Sequence, residues 1–96
     1  MQSMAHRIVL YTKPGCHLCE IIFQLVEGLH RDFDFALEPI DISTDPGLQR
    51  EYGDKVPVLV IDDRLTLFAP IHLVHVRAAL IGPPERPAPN SAPNAG

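Results

Sequence analysis

The sequence has few positive charges and no cluster of them. Its 8 lysine and arginine residues are outnumbered by 12 aspartates and glutamates, which gives a formal net charge of −4. Binding to a nucleic-acid backbone depends on grouped lysine and arginine side chains, and an anionic membrane surface weakly repels an acidic chain. We therefore expect neither nucleic acid nor a membrane among the partners of this protein.

Long apolar runs are also missing. Residues 1–7 lead into a short apolar stretch at residues 8–11, whereas a signal-peptide core needs about 7 to 15 apolar residues and a membrane span about 20. A chain of 96 residues that is 46% hydrophobic and 21% charged fits one soluble domain with a modest core. The sequence thus predicts a cytoplasmic protein, which we expect to be a monomer.

Nucleotide and flavin motifs are absent as well, because the chain has no Gly-x-Gly-x-x-Gly, no phosphate-binding loop and no internal repeat. The chain has only two cysteines, Cys16 and Cys19, so a second Cys-x-x-Cys that would complete a four-cysteine zinc site is missing. We expect no bound cofactor and no metal. In a reducing cytoplasm, such a pair is more typical of catalysis, redox sensing or metal binding than of a structural bridge.

The two cysteines stand where an apolar run ends and a helical pattern begins near His17. Two thiols separated by two residues at a helix N-terminus can close a disulfide with little rearrangement. The helix dipole and the unpaired N–H groups there stabilise the first sulfur, that of Cys16, as a thiolate. The placement predicts a redox switch.

The remaining pattern predicts alternating strands and helices. The apolar residues 8–11 indicate a strand that is buried on both faces. Apolar residues at three- and four-residue steps from Leu18 predict a helix over residues 17–31 with one buried stripe. A strand that starts at Phe33 and contains Pro39 is predicted to lie at an edge, because proline cannot donate a ladder hydrogen bond. The other predicted elements are a short helix between the capping segment 43–46 and Gly53, strands at 56–61 and 65–68 that form a hairpin, and a helix at 70–81 with the apolar stripe Ile71, Val74, Ala78 and Ile81.

This order predicts an α/β fold of the form βαβαββα, with a four-stranded mixed sheet flanked by three helices. The predicted domain covers residues 1–82. Residues 83–96 hold five of the ten prolines and no large apolar residue, so we expect a Pro-rich disordered tail.

Two segments resemble a known family. Residues 11–20 read YTKPGCHLCE and residues 55–59 read KVPVL. A dithiol after a strand, a Lys-Pro before it and a Val-Pro that opens the third strand together resemble glutaredoxin-like proteins of the thioredoxin fold. The resemblance covers residues 7 to about 81 and implies a thiol–disulfide oxidoreductase that acts in cell redox homeostasis.

The resemblance also implies roles for individual residues. Cys16 corresponds to the exposed nucleophile and Cys19 to the more buried thiol that resolves the mixed disulfide. Lys13, together with the helix N-terminus, is placed to stabilise the Cys16 thiolate. Pro57 corresponds to the family's cis-proline, whose strand offers backbone groups to the substrate, and Val56 would bind the cysteinyl backbone of glutathione.

The sequence departs from typical glutaredoxins at the glutathione site. Leu18 stands where they have tyrosine or phenylalanine, and residues 68–71 replace their Gly-rich turn and polar helix start. It also departs from typical thioredoxins, because it has no tryptophan and has Leu10 in place of their buried carboxylate. The expected partners are a disulfide-bearing protein or a glutathione mixed disulfide and an external thiol reductant, with glutathione as a possible co-substrate.

The neighbours of the cysteines allow more than one interpretation. His17 suits a solvated first helical turn as well as an electrostatic role at the dithiol. Glu20 suits any helix first turn, disfavours a Cys19 thiolate, or would accept the Cys19 proton through water.

Three alternatives to a redox enzyme stay open. A structural disulfide across so short a loop adds only roughly 2 kcal/mol in the chain-entropy model. A Cys/His metal-binding module would need His17, His72, His75 or a second subunit to complete the ligand set. A non-enzymatic adaptor would keep the fold for binding and show no exchange with disulfides.

Overall fold

A computed structural model describes residues 6–81. The rest of the chain, which includes the segment 83–96 with its predicted disordered tail, lies outside the described residues. The strands are β1 (His6–Thr12), β2 (Phe35–Asp41), β3 (Val58–Ile61) and β4 (Leu65–Phe68). The α-helices are α1 (His17–Glu27), α2 (Pro46–Tyr52) and α3 (Leu73–Leu80), with 3-10 turns at Gly28–Arg31 and Ile42–Thr44.

The four strands form one mixed sheet in the order β2-β1-β3-β4. β1 is parallel to β2 and antiparallel to β3, which in turn is antiparallel to β4. The predicted α/β sheet with three helices is confirmed, including the edge position of β2. Pro39 lies in that strand, where a missing N–H costs least.

The core lies around the two central strands. Ile8 and Leu10 of β1 and Leu59 and Ile61 of β3 are fully buried, which agrees with their continuous apolar runs. The helices cover the sheet with the buried side chains Ile22, Val26, Val76 and Leu80. β1 therefore passes through the middle of the domain and ends at the loop that leads to the cysteines.

The short helix α2 has the capping residues that the sequence predicted. The Asp45 side chain accepts hydrogen bonds from the amides of Gly47 and Leu48, at 2.9 and 3.2 Å. Pro46 follows in the first turn, where its missing N–H is not needed. The helix ends at Gly53, which fixes where the chain turns back toward the sheet.

Helix α1 differs from the prediction of one buried apolar stripe up to residue 31. The α-helix ends at Glu27, and the chain continues as a 3-10 turn. Three of its apolar residues are exposed, by 47% at Leu18, 41% at Ile21 and 45% at Leu25. They stand at steps of three and four residues, on a face next to the one that packs on the sheet. We call these three residues the α1 ridge.

The prediction for the last helix was wrong in its start and in its buried face. α3 begins at Leu73, and His72 before it has extended backbone angles, φ −108° and ψ 130°. The residues that pack in the core are Val76 and Leu80, whereas Val74 and Ile81 are exposed. Both sides of this helix have apolar residues at helical spacing, so the periodicity could not show which side the sheet would cover.

None of the helices within residues 6–81 has the length and apolar character needed to cross a membrane. The cytoplasmic location stays a prediction.

Asp62 connects the start of β1 to the β3–β4 turn. Its Oδ2 lies 2.6 Å from Nδ1 of His6, and its Oδ1 accepts a hydrogen bond from the Arg7 amide at 2.9 Å. Both side chains are nearly buried, with 7% of Asp62 and 5% of His6 exposed. Asp62 and its neighbour Asp63 have positive φ angles of 56° and 58°, as a tight hairpin requires.

We expect Asp62→Ala to lower the free energy of unfolding by about 1–3 kcal/mol, because a nearly buried acceptor for two donors is lost. Asp63→Ala is the matched control, since Asp63 has the same backbone conformation but only an exposed 3.4 Å contact with Arg7. Urea unfolding followed by circular dichroism measures both. Equal losses in the two variants would show that backbone strain, and not the Asp62 contacts, determines the effect.

Candidate active site

The cysteines form a disulfide at the N-terminus of α1. Cys16 is the N-cap residue, with extended backbone angles, and its sulfur accepts a hydrogen bond from the Cys19 amide at 3.1 Å. The two Cα atoms are 5.2 Å apart, a separation that a disulfide spans without backbone movement. The predicted position of the dithiol, at a strand-to-helix junction, is confirmed.

The two cysteines differ in exposure. Cys16 is partly exposed, whereas Cys19 lies on the face of α1 that packs on the sheet and is only 1% exposed. The geometry of the helix produces this difference, because the N-cap residue stands outside the first turn and the third helical residue points back toward the core. Of the two cysteines, only Cys16 thus has appreciable contact with solvent.

The helix end also provides the groups that favour a charged sulfur at Cys16. An amide already donates to this sulfur in the disulfide form, and the positive end of the helix dipole lies beside it. In the reduced protein the same amide would donate to a thiolate, and hydrogen bonds to charged acceptors are the stronger kind.

Lys13 contacts α2 through its ammonium group. Nζ donates a hydrogen bond to the Gly53 carbonyl oxygen at 3.0 Å, across 40 residues of sequence. On the same side of the molecule, Tyr11 stacks on Tyr52 with ring centroids 4.7 Å apart. Burial, and then the charge of Glu51, raise the pKa of the Tyr52 hydroxyl. These contacts hold the end of α2 against the end of β1.

Val56 and Pro57 lie at the same end of the sheet as the dithiol. Tyr11 near the end of β1 pairs with Val58 at the start of β3, so the segment before β3 and the loop after β1 leave the sheet together. The Val56–Pro57 peptide bond is cis, as the resemblance implied. The Val56 amide donates to the Tyr52 carbonyl at 3.2 Å, and Pro57 has no N–H. The backbone N–H of Val56 thus already has a partner within the chain.

A second cis peptide bond, Ala69–Pro70, follows β4 at this same end of the sheet. Phe68 pairs with Val58, which places the end of β4 beside the start of β3. An open pocket of about 470 Å³ is lined by Val56, Phe68 and Ala69, with Asp54 and Lys55. The sequence pattern predicted Pro70 at the start of the last helix. The cis form was not predicted, because an Ala-Pro pair contains no local signal for it.

The histidines that a Cys/His metal site would need lie on exposed parts of the structure. His17 is exposed in the first turn of α1, and the rings of His72 and His75 lie edge to face with centroids 5.8 Å apart. Within residues 6–81, no three side chains of His, Cys, Asp or Glu come together in a group that could bind a metal ion. The described part of one chain thus does not supply the tetrahedral ligand set of a Cys/His module.

Residues 7–81 match the family described as Glutaredoxin-like domain (DUF836). A Nitrosomonas europaea protein solved by NMR in solution has a TM-score of 0.71 and 32% identity, over 83% of this chain and 96% of that one. An X. campestris protein solved by X-ray methods has a TM-score of 0.59 and 35% identity, over 76% of this chain and 93% of that one.

More distant similarities agree with this match. An uncharacterized protein of Mycobacterium tuberculosis is 30% identical over 63 residues, which span 60% of this chain and 65% of the relative. A thioredoxin mutant from Halobacterium salinarum has 21% identity and a TM-score of 0.66, over 83% of this chain and 75% of that one, and shows the shared fold alone. Because the family match extends over nearly all of the described residues and the solved relatives share their architecture, the chain belongs to the glutaredoxin-like domain family and has the thioredoxin fold.

Proposed function

We propose that the protein is a thiol–disulfide oxidoreductase that uses the Cys16-x-x-Cys19 pair on protein disulfides or glutathione mixed disulfides. The observation that supports this best is the unequal exposure of two bonded cysteines at a helix N-terminus. Cys16 is partly exposed at a helix N-terminus, where a thiolate would be stabilised, and Cys19 is buried beside it. A purely structural bridge would need neither feature.

The proposed reaction transfers two electrons to the substrate. The Cys16 thiolate attacks one sulfur of a substrate disulfide, forms a mixed disulfide and releases the other substrate sulfur as a thiolate. The Cys19 thiolate then attacks the Cys16 sulfur, forms the Cys16–Cys19 bond and expels the second substrate thiolate. An external thiol reductant returns the pair to the dithiol form.

The surface next to the dithiol favours a protein as the substrate. The α1 ridge begins at Leu18, between the two cysteines, and continues through Ile21 and Leu25 along the exposed side of the helix. Apolar residues at the centre of an interface contribute most when a partner covers them and excludes water. Glutathione is small and polar, so it would cover little of this ridge.

Replacing each cysteine in turn tests the proposed function. We expect Cys16→Ser to abolish reduction of a small disulfide, because the attacking thiolate is gone. Cys19→Ser should still make the first attack and should accumulate a mixed disulfide at Cys16, because nothing resolves it. Intact-protein mass spectrometry and peptide mapping identify the adduct. Full activity in Cys16→Ser would contradict the assignment, and a wild-type protein that exchanges with no disulfide would favour the adaptor.

We propose that Lys13 adds to the stabilisation of the Cys16 thiolate. Lys13→Gln should shift the alkylation of Cys16 by iodoacetamide to a modestly higher pH, because the exposed ammonium group is screened by water but still favours a nearby thiolate. Lys55→Gln is the matched control, an exposed lysine that also donates to a backbone carbonyl, that of Glu51. Identical alkylation profiles for all three proteins would leave the helix N-terminus as the sole source of stabilisation.

The α1 ridge is tested by comparing a large and a small substrate. We expect Ile21→Gln to lower kcat/KM for a disulfide-bonded protein such as insulin about fivefold, or about 1 kcal/mol. The rate with a small aromatic disulfide should not change, because that substrate does not reach the ridge. Val74→Gln, which alters an exposed apolar residue on α3, is the matched control. A proportional loss with both substrates would argue against a docking role.

A further inference from the structure

Cys19 borders an open cleft, although its own surface is almost entirely buried. The cleft has a volume of about 310 Å³ and lies between α1 and the strands β1 and β2. Leu10, Phe23 and Pro39 form its apolar lining, and Thr12, Glu20 and Gln24 form its polar lining. Cys19 therefore borders a small compartment that is open to solvent.

The resolving step of the proposed reaction requires a proton acceptor near Cys19. A thiol is a poor nucleophile until it ionises, and burial opposes its ionisation because the thiolate loses its hydration. The Cys16 sulfur cannot accept this proton, since it is bonded to the substrate in the mixed disulfide. The acceptor must therefore be a neighbouring side chain or water.

The cleft contains one carboxylate. Glu20 lines it from α1, and the residues contributed by β1 and β2 are Leu10, Thr12 and Pro39, none of which titrates. On the other side of Glu20, His17 lines an adjoining pocket together with Ile21, Gln24 and Leu25. The titratable groups next to Glu20 on these surfaces are thus Cys19 and His17.

The cleft that Cys19 and Glu20 both line has room for water. Its volume of about 310 Å³ is well above the roughly 10–15 Å³ that one water requires. A bound water needs two or more polar partners, and the Thr12 hydroxyl and the Gln24 amide supply them beside Glu20.

We propose that Glu20 accepts the Cys19 proton through water in this cleft, a role that rests on the proposed function. The Cys19 thiol passes its proton to a water, which passes one to the Glu20 carboxylate. The resulting Cys19 thiolate attacks Cys16, the mixed disulfide bond breaks, and the substrate sulfur leaves with the electron pair. The protonated Glu20 then returns its proton to solvent, to which it is exposed.

A purely electrostatic role of Glu20 predicts the opposite effect. As a fixed negative charge in the first helical turn, it stabilises the helix N-terminus and disfavours a thiolate at the adjoining Cys19. Its removal would then make Cys19 ionise more easily and speed up resolution. The sign of the change in rate therefore separates proton transfer from a charge effect.

The experiment is a stopped-flow reaction of the reduced full chain with one equivalent of dithiobis(nitrobenzoate). Attack by Cys16 releases the first nitrothiolate, and resolution by Cys19 releases the second. We expect Glu20→Gln to leave the first phase nearly unchanged and to slow the second about tenfold at neutral pH. The deficit should shrink at alkaline pH, where hydroxide removes the Cys19 proton without Glu20. Glu20→Asp should restore most of the rate.

A control variant belongs to the same measurement. Glu27→Gln removes an exposed carboxylate from the end of the same helix, outside the cleft. It should retain the second phase and its wild-type pH profile. An unchanged or faster second phase in Glu20→Gln would overturn the role of Glu20 while the proposed function stands. A wild-type protein that releases no nitrothiolate would overturn the proposed function itself.

Discussion

The pairing of β1 with β3 is the constraint on which the site depends. The two strands are buried on both faces, and their register aligns the end of β1 with the start of β3. This register places the loop that leads to Cys16 beside the Val56–Pro57 segment, although about forty residues separate them. The α1 helix then projects from the end of β1, and its first turn sets which cysteine faces the solvent. The difference in exposure between Cys16 and Cys19 thus follows from β1 and the first turn of α1.

Much of this arrangement could be predicted from local signals. The apolar run at the start of β1 indicated a central strand, Pro39 indicated an edge strand, and Asp45, Pro46 and Gly53 marked the ends of α2. These signals are local because each rests on the backbone chemistry of one or a few residues.

The parts that could not be predicted depend on contacts between distant segments. Helical periodicity shows that a helix has apolar residues at its surface, but it does not say which of two adjacent faces the sheet covers. On α1 the structure covers Ile22 and Val26 and leaves the ridge exposed, and on α3 it covers Val76 instead of Val74. The Lys13 contact with the Gly53 carbonyl and the cleft beside Cys19 likewise arise only when α1, α2 and the sheet come together.

The position of the carboxylate near Cys19 reflects the limits of a small core. Leu10 is buried in the centre of the sheet, so an ionised carboxylate there would lose its hydration and would need a buried partner. Glu20 lies exposed on the helix side of the cleft and, in the proposed mechanism, acts on the thiol through water, which avoids that cost. The chain thus keeps an apolar, well-packed sheet and has its carboxylate beside Cys19 on the exposed surface of the helix.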